Sequence, residues 1–355
     1  MDISVVIATH NQVERLTLVL QGLAHQTLQA DFEVIVVDDG CTDGTRRMLA
    51  ELDIGRVSVI GLKPNQGRNR ARNRGIEAAR GELVVFLDGD ALPAPDLLQR
   101  YWQAYQKEGS EVFYCGHAYC LSDLEYFQDP QTGTLGDWPM PSVLADRLIA
   151  NRGELVVDKD MVRDRFELIE QRAVEGGYPF PALQEYQGQV FQLLETYPAA
   201  ESGWVGFVPH NAAIPAALLA EGGGFDEEIS FSEGWELAYR LQRNLGAELR
   251  AVDARSYHLY HYHDFARPEE GDVRYRAIEH MVAKYQDERI RLLYFWLAAL
   301  WPDPDIPELG LVPDLLEFEK RYLGLSPEEW RDYQLVLEHH PRLSQYTEVR
   351  YEQCA

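Results

Sequence analysis

The chain has 355 residues, of which 46% are apolar and 11% aromatic, so it can bury a large core and is not a disordered protein. Its formal net charge of −25 at pH 7 would repel a phosphate backbone, which excludes nucleic acid as the partner. The four cysteines have no paired CxxC spacing, which excludes a disulfide scaffold and favours a reducing compartment. The N-terminal segment MDISVVIATHN lacks the basic and long apolar regions of an export signal, so we expect a cytoplasmic protein.

The first part of the chain alternates between strand and helix patterns. Short β-branched runs predict four strands, at Ile3–Thr9, Phe32–Asp39, Arg56–Leu62 and Glu82–Asp90. Strands of near-continuous Val and Ile that are separated by helical segments predict an α/β fold, with a mostly parallel sheet covered on both faces. Ligands of such sheets bind at the carboxyl ends of the strands, and here these ends carry Thr9, Asp38, Asp39, Asp88 and Asp90.

The rest of the chain is predicted to be mainly helical. From about Tyr119 to Ala200 the strand rhythm gives way to helical segments with turn-rich joints, which indicates an inserted helical subregion. A strand-like run at Gly203–Pro215 and a glycine turn then lead into a helix from about Gly234. After His263 a long helical tail contains the apolar run Leu292–Trp301, far below the roughly 20 residues of a membrane span. We interpret this run first as a buried helix and second as an interfacial membrane contact.

Asp88 and Asp90 form the most informative short motif. Residues i and i+2 of an extended segment point to the same side, so both carboxylates can face one divalent cation, while Gly89 keeps the backbone from crowding the ligand. Asp-Gly is also a favoured turn pair, and a turn would be written in the same way. The position after a buried strand favours a site for a metal and a substrate.

Asp39 ends the second strand, where a carboxylate can accept hydrogen bonds from a nucleobase or from ribose hydroxyls. Thr42 or Asp43 is expected to cap the helix that follows.

The segment NQGRNRARNRG places local positive charge in an acidic protein. At 100° per residue Arg68 and Arg72 share one helical face, and Arg70 and Arg74 share another. One of these faces can cradle a diphosphate near the helix N-terminus, and Arg72 is our ligand candidate. A solvated basic helix that pairs with surface acids is the alternative.

Three histidines lie close together in SYHLYHYHDF. A structural zinc site would need four ligands, and no cysteine pair is nearby. We interpret His263 as a loop histidine.

Together these blocks resemble the family 2 glycosyltransferases with the GT-A fold. The resemblance rests on SVVIATHNQVERLTLVLQGLAHQT, FEVIVVDDGCTDGT, NQGRNRARNRGIEAARGELVVFLDGDALPAPDLL and GGGFDEEISFSEGWELAYRL. It covers about the first 118 residues and the stretch from Gly203 to about His263. It implies that Thr9, Asp39 and Arg72 hold the nucleotide, and that Asp88-Gly89-Asp90 is the DXD motif that binds the donor diphosphate through Mg²⁺ or Mn²⁺. The block HLYH resembles one in which a histidine is an extra metal ligand or phosphate contact, which makes His258 and His261 candidates.

The chain departs from this family at the expected catalytic base. The family usually has Glu-Asp before ELxxRL, and the aspartate is the base, whereas this chain has Glu233 followed by Gly234. Glu233 is our first candidate for the base and Glu236 the second, and a base elsewhere stays open. Glu236 also suits the first turn of a helix as an ordinary N-terminal acid.

The resemblance implies an inverting, metal-dependent transfer of a sugar from a nucleotide-diphosphate sugar, most simply a UDP-sugar, to an acceptor hydroxyl. We expect residues 1–118 to bind the donor, residues 119–265 to bind the acceptor and carry the base, and residues 266–355 to form a helical extension. Trp204 and Trp235 are candidates for stacking on a sugar. The acceptor (glycan, lipid, peptide or small molecule), a homodimer contact around Phe295 and Trp296 and a peripheral membrane contact stay open.

Two other functions compete with this one. A catalytically silent sugar-nucleotide-binding or scaffold protein would explain Gly234. A nucleotidyltransferase would be expected to carry a glycine-rich loop after the first strand, and ATHNQVERL is not such a loop.

Overall fold

The structure of the protein is a computed structural model that describes residues 1–51, 56–229, 232–263, 268–300 and 314–324, together with 326, 328–329, 331–332 and 335. The calls on Trp301 and on the end of the C-terminal extension fall outside the described residues.

A nine-stranded mixed sheet forms the centre of the described part. The described strands are β1 (Ile3–Thr9), β2 (Phe32–Asp39), β3 (Val57–Leu62), β4 (Leu83–Asp88), β5 (Ala91–Pro93), β6 (Val112–Cys120), β7 (Phe127–Asp129), β8 (Thr134–Leu135), β9 (Val174–Glu175), β10 (Asn211–Pro215) and β11 (Glu248–His258). The order across the large sheet is β3-β2-β1-β4-β10-β6-β11-β5, and β9 pairs with β6. The strands β7 and β8 form a separate antiparallel hairpin.

The first four strands are parallel and agree with the predicted strands to within two residues at each end. The strands β1, β2 and β4 are buried on both faces, whereas the edge strand β3 is partly exposed. In β1 the side chains alternate between two apolar cores, because neighbouring residues of a strand face opposite sides of the sheet. Val5 and Ile7 pack in one core, whereas Val6 packs in the other. Burial on both faces explains why the sequence shows continuous apolar runs here instead of alternation.

Thirteen α-helices are described. They are α1 (Val13–Ala24), α2 (Thr45–Glu51), α3 (Arg68–Ala78), α4 (Leu97–Glu108), α5 (Ser142–Leu155), α6 (Lys159–Asp164), α7 (Glu167–Arg172), α8 (Pro181–Thr196), α9 (Ala216–Gly222), α10 (Glu233–Leu245), α11 (Pro268–Tyr285), α12 (Leu293–Leu300) and α13 (Leu315–Gly324). Asp43 acts at two helix starts, because its carboxylate accepts the backbone N–H of Thr45 at 2.9 Å and that of Val13 at 3.1 Å.

The C-terminal helices pack on the inserted region. The side-chain oxygen of Gln189 on α8 accepts the indole N–H of Trp296 at 2.8 Å and the backbone N–H of Leu315 at 2.9 Å. Glu319 on α13 accepts the backbone N–H groups of Glu201 and Ser202, at 2.8 and 2.9 Å. The described part of the extension therefore shares a core with the rest of the fold.

Three sequence expectations about aromatic residues need correction. Phe295 and Trp296 are fully buried in α12, which fits our first interpretation and removes these two side chains as a surface for dimer or membrane contact. Trp204 is also fully buried and packs edge-on against Tyr239, so it cannot stack on a sugar. In the described part of the chain, no helix has an apolar stretch long enough to cross a bilayer.

Candidate active site

A cavity of about 940 Å³ lies at the edge of the sheet where β1, β2 and β4 end. These three strands are neighbours, so Thr9, Asp39 and Asp88 line the same side of the cavity. The opposite side is lined by the segment before α8, by the start of α10 and by the histidine segment after β11. The volume is that of an ordinary small-molecule site, for which ~300–1,000 Å³ is usual.

Arg72 connects two acidic residues of this cavity. Its guanidinium is almost fully buried and donates to Asp88 Oδ1 at 2.8 Å and to Glu233 Oε1 at 2.5 Å. Burial opposes the charge of Arg72, but the two carboxylates outweigh burial and raise its pKa. Arg72 therefore orients Asp88 and Glu233. It also lines the cavity, so its predicted contact with the donor stays a prediction.

Asp90 lies in a turn after β4 and faces the histidine segment. Its Oδ2 accepts a hydrogen bond from Gln12 Nε2 at 2.6 Å and lies 3.3 Å from His261 Nε2 and 3.8 Å from His258 Nε2. Burial would raise the pKa of Asp90, but the two imidazoles lower it well below the usual range, so the carboxylate is ionised. The turn that the sequence offered as an alternative is therefore present. Asp88 and Asp90 both line the cavity, and a metal site between them stays a prediction.

The tautomer of His258 follows from its other ring nitrogen. Nδ1 lies 2.6 Å from the carbonyl oxygen of Gly177, which can only accept, so Nδ1 carries the proton. Burial lowers the pKa of His258, so the ring is neutral at pH 7 and Nε2 presents a lone pair. A lone pair and a carboxylate oxygen thus face each other across 3.8 Å, with no proton on either to join them. A cation between them satisfies both groups.

Thr9 lines the cavity, and Gly89 lies next to it. Thr9 Oγ1 is buried and has no hydrogen-bond partner among the residues that the structure describes. A buried hydroxyl without a partner is costly, so this group is suited to a ligand. At position 89 a Cβ would lie 3.0 Å from Gln12 Oε1 and 3.1 Å from Thr9 Oγ1, so a larger residue would crowd this corner.

Asp39 holds the turn that leads into α3. Its two oxygens accept the backbone N–H groups of Gln66 and Gly67, at 2.7 and 2.9 Å. The carboxylate also lines the cavity and keeps lone pairs for a ligand.

Gly234 is fixed by a close approach of two chain segments. A Cβ at this position would lie 2.3 Å from the carbonyl oxygen of Phe207 and 2.7 Å from Pro209 Cδ. An aspartate therefore does not fit where the family usually has its base. Glu233, one residue earlier, lines the cavity.

Glu236 lies outside the cavity, and our second candidate for the base is therefore not supported. It is fully buried and accepts from Arg240 Nε at 3.0 Å and from Lys284 Nζ at 2.8 Å, and it also accepts from Tyr285. Burial would raise the pKa of Glu236, but these donors lower it, as expected for a structural ion pair. Its position in the first turn of α10 suits the helix dipole.

Four residues that line the cavity were not predicted as ligands from the sequence: Arg68, Tyr178, His210 and His263. Arg68 is exposed at the start of α3, lines the cavity and forms no ion pair with the described residues, whereas Arg70 pairs with Glu227 and Arg74 with Glu77. The 100° spacing had already placed Arg68 on the face of Arg72. His210, His263 and Tyr178 also line the cavity. His263 is in a loop as predicted, and its imidazole lies near those of His258 and His261.

The comparison with known families favours one of the α/β functions considered above. Residues 4–152 match the family described as glycosyl transferase family 2. Over this part the chain is similar to the family 2 glycosyltransferases. It is 28% identical over 336 residues to the uncharacterized glycosyltransferase YfnE of Bacillus subtilis, which covers 90% of this chain and 80% of that protein. A glycosyltransferase of Nostoc, alr2836, is 37% identical over 108 residues, and the chain spans only 33% of its length.

Solved structures show that the chain has the GT-A fold. Staphylococcus aureus TarS in complex with UDP-GlcNAc aligns with a TM-score of 0.53 at 16% identity, over 96% of this chain and 82% of that one. The mannosyltransferase PcManGT of Pyrobaculum calidifontis, in complex with GDP-Man and Mn²⁺, aligns with a TM-score of 0.50 at 18% identity, over 98% and 83%. At this level of identity the likeness establishes the architecture alone.

Proposed function

We propose that this protein transfers a sugar, with inversion at the anomeric carbon, from a nucleotide-diphosphate sugar to an acceptor hydroxyl in a metal-dependent reaction. The observation that carries this proposal is that Asp90 Oδ2 and His258 Nε2 lie 3.8 Å apart in the cavity, while His258 Nδ1 faces the carbonyl oxygen of Gly177. Two facing acceptors without a proton are stable together when a cation binds both. The nucleotide-sugar complexes of the two similar structures support the same donor class.

Asp88, Asp90, His258 and His261 are the proposed metal ligands. Carboxylate oxygens suit Mg²⁺ and Mn²⁺, and imidazole nitrogens tip the preference toward Mn²⁺. When bound, the ion neutralises the departing diphosphate as a Lewis acid.

Thr9, Asp39 and Arg68 are the proposed donor contacts. Thr9 Oγ1 and the Asp39 carboxylate are suited to the nucleoside, since both line the cavity at the ends of neighbouring strands. Arg68 and the first N–H groups of α3 supply positive charge for the phosphates. A UDP-sugar is the donor that we would test first.

Glu233 is the proposed general base. It accepts the proton of the acceptor hydroxyl while that oxygen forms a bond to the anomeric carbon, and the bond from this carbon to the diphosphate oxygen breaks on the opposite face. The hydrogen bond from Arg72 holds the Glu233 carboxylate in place.

We also retain the cytoplasm as the proposed location, since the described cysteines, Cys41, Cys115 and Cys120, are buried free thiols.

A silent sugar-nucleotide-binding protein remains the second candidate, because Glu233 is buried and held by Arg72 at 2.5 Å. Release of nucleoside diphosphate from a panel of nucleotide sugars, with Mn²⁺ or with EDTA, separates the two candidates. An enzyme releases it with Mn²⁺ only, Asp88→Ala abolishes the release, and the exposed control Asp164→Ala does not. Tight donor binding without release, with every acceptor tried, would establish the silent protein instead.

A further inference from the structure

The guanidinium of Arg15 is buried against main-chain carbonyl groups. Arg15 lies in the first turn of α1 and is 6% exposed. It donates from Nε to Leu259 O at 2.7 Å and from Nη2 to Tyr260 O at 3.3 Å, and also to Phe127 O at 2.7 Å and Gln128 O at 3.0 Å. Within the described residues no carboxylate oxygen lies within ion-pair distance of this guanidinium. Its hydrogen bonds go to carbonyl oxygens, while the charges of Asp90, Glu14 and Asp129 act on it from farther away.

The carbonyl acceptors belong to two segments that meet at Arg15. Leu259 and Tyr260 are the two residues between His258 and His261. Phe127 and Gln128 belong to β7, in the hairpin of the inserted region. A planar guanidinium offers five N–H donors in a fixed arrangement, so it can hold both segments at once, which a single ammonium group cannot do.

Leu259, which accepts a hydrogen bond from Arg15, also contacts Asp90. The backbone N–H of Leu259 donates to the carbonyl oxygen of Asp90 at 2.8 Å, while the carbonyl oxygen of Leu259 accepts from Arg15. Gln12, three residues before Arg15 and next to the start of α1, donates to the Asp90 carboxylate at 2.6 Å. The start of α1 thus contacts the Asp90 side chain through Gln12 and the backbone between the two histidines through Arg15.

We infer that Arg15 is a positioning residue that sets the distances of His258 and His261 from Asp90 and thereby the affinity of the site for a divalent cation. This inference rests on the proposed function, since it assumes that the three residues bind a metal. Residues that orient metal ligands without touching the metal typically change its affinity by ~10–100-fold when they are removed. A purely structural role predicts a loss of stability with unchanged affinity in the molecules that remain folded.

The test compares Arg15→Met and Arg15→Lys with the wild type and with the control Arg100→Met. Met keeps much of the volume without charge, and Lys keeps the charge but cannot reach both segments. Arg100 is an exposed arginine on α4 that pairs only with Asp96, four residues earlier. Mn²⁺ binding is measured by electron paramagnetic resonance of the free ion, and UDP binding in EDTA by calorimetry, both at a temperature where circular dichroism shows each variant folded.

We expect Arg15→Met to raise the Mn²⁺ dissociation constant about tenfold or more, Arg15→Lys to raise it less, and both to bind UDP in EDTA like the wild type. Wild-type Mn²⁺ affinity in both Arg15 variants would overturn the inference. If Arg15→Met does not fold, Arg15→Lys tests the inference by itself: its Mn²⁺ affinity should fall relative to the wild type while its UDP affinity in EDTA stays the same. If the wild type itself binds no Mn²⁺, the metal dependence in the proposed function fails, and the inference fails with it.

Discussion

At the scale of single residues, burial and hydrogen bonding separate two glutamates that the sequence left as rival bases. Both lie in the first turn of α10, three residues apart. Glu233 lines the cavity beside Arg72, whereas Glu236 is fully buried between α10 and α11. The two positions make opposite predictions for the same chemical change.

Glu233→Gln is expected to lower the rate of sugar transfer by roughly 10²–10⁴-fold, because an amide cannot take the acceptor proton. Donor binding should change little. Glu236→Gln should instead lower the free energy of unfolding by on the order of 3 kcal/mol, since Arg240 and Lys284 lose a buried partner. Its folded fraction should keep the wild-type rate. Steady-state kinetics and urea unfolding of both variants check this, and equal rates for wild type and Glu233→Gln would contradict the assignment.

Gly234→Ala tests why the usual aspartate is absent. The added Cβ would overlap the carbonyl oxygen of Phe207, and overpacking of this kind costs ~1–3 kcal/mol and shifts the start of α10 with Glu233. Gly153→Ala, on α5, is the control, because apart from its own helix backbone no heavy atom of the described residues lies within 4 Å of the added Cβ. Its expected gain is ~0.4–1 kcal/mol. Thermal unfolding measures both. A Gly234→Ala variant as stable and active as the wild type would show that the close approach imposes no constraint.

At the scale of secondary-structure elements, the sequence predicted the strands of residues 1–118 well up to β4 and the strands that follow poorly. The strands β1, β2 and β4 are buried on both faces, so they appear as continuous Val and Ile runs, and their ends identified Thr9, Asp39 and Asp88. The later strands β6 and β11 carry Tyr, His, Arg and Asp among their apolar residues, and neither was predicted. No sequence pattern around His258 and His261 indicated which residues they contact, because Gln12, Arg15 and Asp90 are far from this segment in sequence.

The C-terminal helix α13 provides an element-level test. Glu319 accepts two backbone N–H groups and the hydroxyl of Ser202, so Glu319→Ala leaves three donors without this acceptor. The two donors of Ser202 are buried, and each costs ~1–3 kcal/mol when water cannot reach it. Glu317→Ala on the same helix removes an exposed pair with Arg321, worth ~0.3–0.5 kcal/mol. Chemical denaturation should show a much larger loss for Glu319→Ala. Equal small losses would mean that α13 does not stabilise the fold.

At the scale of the whole molecule, half-buried neutral histidines and ion-paired carboxylates predict a loss of stability in acid. Burial lowers the pKa of His117 and of His210, so the unfolded chain binds protons below about pH 6.5 that the folded chain does not. Stability should therefore fall as the pH drops from 7 toward 5. Burial would raise the pKa of Asp226, but its donors Lys284 and His280 lower it to about 2, so its contribution is present above about pH 4 and lost as the pH falls toward 2.

Urea unfolding between pH 7 and 3 measures this dependence, at a fixed salt concentration that screens the net charge of −25. His117→Gln removes one of the histidines and should flatten the curve between pH 7 and 5. Stability that is constant over that range in the wild type would contradict the neutral, half-buried state of these rings.

The most direct test of the central claim is the anomalous diffraction of crystals grown with Mn²⁺ and a nucleoside diphosphate. The account predicts one strong manganese peak in the cavity, about 2.0–2.6 Å from Asp90 Oδ2 and from His258 Nε2, with the diphosphate on its other side. A diphosphate bound in the cavity with no manganese beside these two side chains would contradict it.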